Sequence, residues 1–240
     1  MDVVTCLLSY GLMCSAAQKP ADAEPVPSVG DFDPSDPAPP APKGQASKVL
    51  ASVQSFYDAT TDFEGKFVQT FVDPVYGTKK KHEGKLRVKK PGKMVWDYNE
   101  ADNPDVWVDG KLVHLVEADT KQVVRKDVGD SDFAGASEFL FGGKKLIDDF
   151  QVKMAGEKLV KRYGSAGHSA IELRPKKKNP HYQEILLLVD DATGRVDSFV
   201  VLNADGSTNQ FTLTDVARNG GLTDKQFEFV KPKGFTEIEG

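Results

Sequence analysis

Apolar and polar positions alternate along most of the chain between residues 63 and 128. Side chains of a β-strand point to opposite faces in turn, so a period of two places every second residue on one side of a sheet. In the stretch 63–72 the residues in phase are Phe63, Gly65, Phe67, Gln69 and Phe71. Residues 111–117 and 121–128 read as a further hairpin. This pattern predicts an antiparallel meander, in which consecutive strands are joined by short turns.

The stretch 84–110 carries the clearest form of this alternation. Pro91-Gly92 interrupts it, because proline has no amide hydrogen to donate to a strand ladder. Six side chains fall on one side of the two flanking strands, with Leu86, Val88 and Lys90 on the first and Met94, Trp96 and Tyr98 on the second. A concave face of this composition is an apolar pocket with one positive charge at its edge.

Two stretches depart from the period of two. Apolar residues at helical spacing predict a helix over residues 47–59, with Ser47 as its N-cap. Residues 129–149 contain a short glycine-flanked helical segment with Phe139, Leu140 and Phe141, followed by a second helical turn over 144–149. Two interpretations of this segment stay open, a hinged lid and an ordinary helix packed on the sheet.

The rest of the chain returns to strand patterns separated by turn residues. The predicted strands are 150–155, 159–163, 169–174, 183–189, 196–203 and 208–217, and 227–230 is the last apolar element. Ten or eleven strands with two or three helices predict a mainly β fold with some α. The expected architecture is a curved antiparallel sheet or incompletely closed β-barrel, with an N-terminal helix, a helical lid and room for a ligand.

The first 46 residues have a different composition. Residues 1–17 are mostly apolar and end in Ser15-Ala16-Ala17, which predicts a secretory signal segment. The usual positive charge before the apolar run is missing, because Met1-Asp2 contains no Lys or Arg. Cys14 is an alternative site of lipid attachment. Residues 18–46 are rich in Pro, Ala and Asp, which predicts a disordered linker. We therefore expect the folded domain to span residues 47–240.

Charge and cysteine usage exclude several classes of protein. The net charge of -5 arises in residues 1–42, and the rest of the chain holds 30 bases and 30 acids. A neutral domain argues against nucleic acid as a partner. Both cysteines, Cys6 and Cys14, precede the folded domain, so a disulfide framework is not expected there.

The sequence offers little that points to catalysis. Its four histidines are far apart and form no metal-binding pattern, and neither a phosphate loop nor a G-x-S-x-G motif is present. We therefore expect no enzyme activity, no metal and no cofactor. Two basic clusters, 79–81 and 176–178, have two interpretations. They protect sheet edges and keep the protein soluble, or they dock to an acidic partner or to anionic lipid headgroups.

Three spaced motifs resemble one known family. Residues 84–96 fit G-x-L-x-V-K-[RK]-P-x-x-x-x-W, residues 63–69 fit F-x-x-x-F-x-Q, and residues 227–234 fit F-x-F-x-x-P-x-G. In this order they resemble the periplasmic carriers of outer-membrane lipoproteins (LolA-like), over about residues 47–237. The family usually has arginine at the position of Lys90.

The resemblance implies a function and a set of residues. It implies a periplasmic carrier that binds acylated lipoproteins released by an inner-membrane complex of the ABC-transporter type and delivers them to an outer-membrane acceptor. It further implies a monomer, with Lys90 as a latch that holds a lid of Phe139, Leu140 and Phe141. The implied acyl-chain cavity consists of Phe63, Phe67, Leu86, Val88, Met94 and Trp96. From their spacing alone, an ordinary core is the preferred explanation of these residues, and the resemblance reverses that preference.

Two other functions remain open at this point. The same scaffold would serve a lipid-binding or envelope-stress sensor module that binds lipoprotein without transporting it. The third alternative, from another class, is an enzyme that acts on lipid or glycan.

Overall fold

The computed structural model describes residues 44–99, 104–128 and 145–240. The first half consists of helix α1 (Gln45–Asp58) and strands β1 (Asp62–Asp73), β2 (Thr78–Lys89), β3 (Lys93–Tyr98), β4 (Asp105–Asp109), β5 (Leu112–Glu117) and β6 (Gln122–Asp127). The second half consists of α2 (Leu146–Asp149), β7 (Phe150–Met154), α3 (Glu157–Tyr163), β8 (His168–Pro175), β9 (Tyr182–Asp190), β10 (Val196–Asn203), β11 (Thr208–Arg218), a 3-10 helix (Asp224–Phe227) and β12 (Thr236–Glu239).

The described strands form a single twelve-stranded sheet, in the order β12-β6-β5-β4-β3-β2-β1-β11-β10-β9-β8-β7. Neighbours are antiparallel except for β12, which runs parallel to β6. The ladder between β1 and β11 joins the two halves of the chain and places Gln69 opposite Phe211. The prediction of a mainly β fold, with an open, curled sheet and an N-terminal helix, is confirmed.

Helix α1 packs against β7 and β8 through one apolar side. Its buried residues are Ala46, Leu50, Val53 and Tyr57, which recur at three- and four-residue intervals. The helix is confirmed, but its predicted cap is wrong. The N-cap is Gly44, and Ser47 lies inside the first turn.

Residues 159–163 form part of a helix, so the strand predicted there is wrong. Leu159 and Tyr163 are four residues apart, which places them on the same side of α3. Both pack on a small apolar cluster on the outer face of the sheet, which contains Leu186 and Val200. A five-residue stretch with apolar residues at both ends and charged residues between them fits either element, and this contact with the sheet favours the helix.

The closing F-x-F motif covers another part of the sheet. The 3-10 helix contacts β3 and β4 and buries Phe227, while Phe229 stacks on His114 with ring centroids 4.1 Å apart. The element predicted at 227–230 therefore buries one aromatic side chain, Phe227, and stacks a second, Phe229, on His114. The last strand, Thr236–Glu239, comes later and lies along the edge of β6.

Candidate functional site on the inner face of the sheet

The structure brings the predicted cavity residues together on the inner face of the sheet. All belong to one apolar cluster, and each has at most 4% of its surface exposed. The six residues are Phe63, Phe67, Leu86, Val88, Met94 and Trp96. The period of two therefore places these side chains correctly. Helix α1 contributes Leu50, Val53 and Tyr57 to the same cluster and thereby covers part of this face. The binding of a ligand by these residues stays a prediction.

Aromatic rings form the centre of this face. Phe67 contacts Trp96 and Tyr98 edge-on, with centroid distances of 4.8 and 4.9 Å. Phe211 of β11 lies 5.1 Å from Trp96 and stacks on Phe199 at 4.8 Å. Sequence reasoning missed Phe211 as a site residue. Its alternation was visible in the segment 208–217, but its place beside Trp96 depends on the pairing of β1 with β11.

A short polar chain crosses the otherwise apolar inner face. The Tyr98 hydroxyl donates to Gln69 Oε1 at 2.6 Å, and Gln69 Nε2 donates to Asn209 Oδ1 at 2.9 Å. All three side chains are buried. Buried polar groups need partners, so these bonds account for the glutamine of the F-x-x-x-F-x-Q pattern.

Lys90 lies just beyond the end of β2 and beside the end of α1. Its Nζ donates to the main-chain carbonyl of Tyr57, and a cis peptide bond joins it to Pro91. Burial lowers the pKa of Lys90 below its ordinary value, while the nearby Asp58 carboxylate acts in the opposite direction. The predicted lid residues Phe139, Leu140 and Phe141 lie outside the described residues. The role of Lys90 as their latch stays a prediction.

One group of side chains has the composition of a metal site. Ligand atoms of His168, Asp190 and Asp197 lie within 4.8 Å of one another. These atoms already have hydrogen-bond partners, because Asp197 accepts from His168 at 3.0 Å and from Arg195, and Asp190 accepts from Thr193. Burial would raise the pKa of Asp197, but these bonds hold it below its ordinary value. The group is explained as an ionic network that ties strand ends together.

A second ionic group lies on the outer face next to α3. Glu172 accepts from the Gly156 amide at 2.9 Å and pairs with Lys153 at 2.6 Å, while Glu184 accepts from Arg174 Nε at 2.9 Å. Both carboxylates are 4% exposed. Burial and the charge of Glu172 raise the pKa of Glu184 to about 7. This group fixes the start of α3 and creates a titration close to neutral pH.

The comparisons with known proteins decide the family. The model described as "Outer membrane lipoprotein carrier protein LolA" matches residues 58–230. The chain belongs to the LolA family. A relative from Ralstonia nicotianae, named outer-membrane lipoprotein carrier protein, is 25% identical over 204 residues, which cover 82% of this chain and 89% of the relative. A protein of the same name from Cupriavidus necator is 26% identical over 188 residues, covering 76% and 83%.

One solved structure shares the fold of this chain. An uncharacterized conserved protein from Thermus thermophilus superposes with a TM-score of 0.50 and 12% identity, covering 81% of this chain and 98% of the other. Identity this low shows a common fold alone. In the part of the chain that the structure describes, no helix has the length and apolar character that a membrane crossing requires.

Proposed function

We propose that this member of the LolA family is a periplasmic carrier. It takes acylated lipoproteins released from the inner membrane, shelters their acyl chains on the inner face of the sheet, and delivers them to an outer-membrane acceptor. Delivery follows differences in affinity, so the carrier catalyses no reaction. The observation that carries this proposal is the large apolar and aromatic cluster on the inner face in a chain of this family.

The energetics of burial support this assignment. Each methylene that leaves water contributes about 0.8 kcal/mol, so one long acyl chain supplies on the order of 10 kcal/mol. This is enough for a specific complex without any covalent chemistry. Because the face is buried here, an acyl chain has to displace the groups that cover it, of which α1 is one.

In this proposal the predicted residues have distinct roles. The six cavity residues contact the acyl chain, with Phe67 and Trp96 at the centre. Phe139, Leu140 and Phe141 form a lid. Lys90, beyond the end of β2, holds this lid closed. Since Lys90 also bonds to the end of α1, its release couples the lid to that helix.

A matched pair of substitutions tests the proposal. Val88 lies on the inner face and Val200 on the outer face, and both are buried. Val88→Thr and Val200→Thr each place one hydroxyl in an apolar site, so both should lower stability by a similar amount. Only Val88→Thr should weaken binding of an acylated lipopeptide, measured by titration with the exported protein. Equal binding by the acylated and unacylated peptides, or equal weakening by the two variants, would refute the proposal.

A second measurement separates a carrier from a sensor module. The loaded protein is mixed with outer-membrane vesicles that contain the acceptor, and peptide transfer to the vesicles is followed. A carrier loses its cargo to the vesicles. A protein that keeps its cargo and instead forms a stable complex with another protein is a non-transporting binding module.

A further inference from the structure

Three connections meet at one end of the sheet. The β1–β2 turn contacts the β10–β11 turn, where a Cβ on Gly206 would lie 3.9 Å from Pro74 Cγ. The β10–β11 turn in turn contacts the β8–β9 connection, because the Ala204 amide donates to the His181 carbonyl at 2.9 Å. We name residues 74–83, 176–181 and 204–207 the hairpin-end surface. None of the inner-face cavity residues belongs to it.

The β1–β2 ribbon is longer than β3, its neighbour on one side, whereas on the other side β1 stays paired with β11 as far as Val72. Its ladder continues to the pair Asp73–Thr78, whereas the ladder between β2 and β3 begins only at Gly84. The residues of β2 before Gly84 therefore project past the end of β3. Among the described residues, the tip of the ribbon is therefore accessible to a flat surface, such as a membrane, at this end of the sheet.

Two apolar side chains are displayed at that tip in a defined conformation. Val75 is 77% exposed and Tyr76 is 65% exposed. The buried Asp73 carboxylate accepts hydrogen bonds from the amides of both residues, at 2.8 and 3.1 Å. The turn is thus fixed from beneath, and its two side chains face solvent without packing on the core.

Positive charge is concentrated at the same end of the sheet as these two side chains. The hairpin-end surface holds six lysines and two carboxylates, a net charge of +4 with its histidines neutral. Of the two carboxylates, Glu83 pairs with Lys81 at 2.6 Å, and Asp205 accepts from Ser207 at 2.7 Å. The chain after residue 42 is neutral as a whole, so this end is a local concentration of cations. The lysines are Lys79, Lys80 and Lys81 in β2 and Lys176, Lys177 and Lys178 before β9.

We infer that the hairpin-end surface docks the protein onto an anionic phospholipid bilayer. Lysine clusters attract anionic headgroups, and tyrosine is enriched where headgroups meet acyl chains. Val75 and Tyr76 enter that layer while the lysines contact the phosphates around them. An acidic protein would explain the lysines, but it gives no reason for exposed apolar side chains at the tip of the β1–β2 ribbon. The inference does not depend on the carrier function, because docking needs no cargo.

Vesicle sedimentation tests this docking directly. The exported protein is mixed with vesicles of equal parts phosphatidylglycerol and phosphatidylcholine, or of phosphatidylcholine alone. It should sediment with the first and not the second, and added salt should weaken binding. Val75→Ser/Tyr76→Ser and Lys177→Glu/Lys178→Glu should each weaken binding about tenfold. The matched control is Val230→Ser/Lys231→Glu, which changes an 80% exposed valine and its lysine neighbour outside this surface and should leave binding unchanged.

A second probe reports insertion of the tip. Tyr76→Trp places an indole at the tip, and its fluorescence should be quenched by vesicles of the same charge that carry brominated acyl chains. Absence of binding to anionic vesicles, or equal weakening by the control variant, would overturn the inference. Binding to polyglutamate without binding to vesicles would also overturn it, in favour of an acidic protein partner. Binding without quenching of the introduced indole would overturn the placement of the tip in the bilayer.

Discussion

The ring of Phe67 lies over the main chain of Gly84, with no room between them for a side chain. A Cβ at Gly84 would lie 2.6 Å from Phe67 Cζ and 2.3 Å from the Asp97 carbonyl oxygen. Gly84 therefore lets β2 pass close beneath the Phe67 ring. This explains why the F-x-x-x-F pattern of β1 and the glycine that opens the β2 motif occur together.

Gly84→Ala should destabilise the fold by about 1–3 kcal/mol, because the new methyl group forces Phe67 or the β3 backbone to move. Urea unfolding measures the change. Gly220→Ala is the control, since the nearest atom to its Cβ would be 3.9 Å away. The control should stay within about 0.5 kcal/mol of the parent protein. Equal effects of the two substitutions would show that the Phe67 ring adapts freely.

Tyr98→Phe should cost about 1 kcal/mol, because Gln69 Oε1 loses the hydroxyl that donates to it within the core. The same change at Tyr76, which is 65% exposed, removes a hydroxyl that water replaces and should have no measurable effect. Thermal unfolding of both variants distinguishes them. Unchanged stability of Tyr98→Phe would mean that the polar chain adds nothing to the fold.

Lys90→Met should lower stability by about 1 kcal/mol, since the Tyr57 carbonyl loses the Nζ donor at the end of α1. The loss is limited because the Tyr57 carbonyl also accepts from the Thr60 amide at 3.1 Å. Lys90→Arg keeps the charge and should retain most of the stability. Hydrogen exchange of the last turn of α1 should rise in Lys90→Met and not in the exposed-site control Lys85→Met. If hydrogen exchange is unaltered in both variants, Lys90 does not stabilise the last turn of α1.

Glu184 should make stability depend on pH. Its pKa is raised from 4.5 to about 7 in the folded protein, so the folded state binds the proton more tightly than the unfolded state does. Its contribution is therefore fully present below about pH 4.5 and declines as the pH rises toward 7. Denaturant unfolding between pH 4 and 8 follows this decline.

Glu184→Gln removes this titration while its carbonyl still accepts from Arg174. The variant should match the parent at low pH and exceed it at pH 8 by an amount on the order of 1–3 kcal/mol. Glu64→Gln changes an exposed carboxylate and serves as the control. Its free energy of unfolding should differ from that of the parent by the same amount at every pH. A constant difference for Glu184→Gln across the range would contradict the raised pKa.

Local pattern predicts much of this fold. The alternation Met94, Trp96, Tyr98 gives the buried side of β3 directly, because the period of a strand needs no knowledge of its neighbours. The helical spacing in residues 47–59 likewise predicts α1. The burial of the six predicted cavity residues follows from the same rule, which applies separately to β1, β2 and β3. Their contact with a ligand stays a prediction.

Long-range pairing is what the sequence leaves out. Phe211 joins Trp96 only because β11 pairs with β1, which is more than 100 residues earlier in the chain. Leu159 and Tyr163 are read as a strand until the outer face of β9 and β10 is available to contact them. The raised pKa of Glu184 depends on Glu172 in a neighbouring strand, so residue spacing gives no sign of it.

The strand order begins at β12 and ends at β7, and no ladder joins these two strands within the described residues. A closed barrel has a circumference that its strand number and stagger fix. This sheet has two margins instead, so they can separate or approach while every interstrand bond between them stays intact. In the proposed carrier, ligands of different width can therefore fit against the same sheet, because the separation of β12 from β7 sets the width of the inner face.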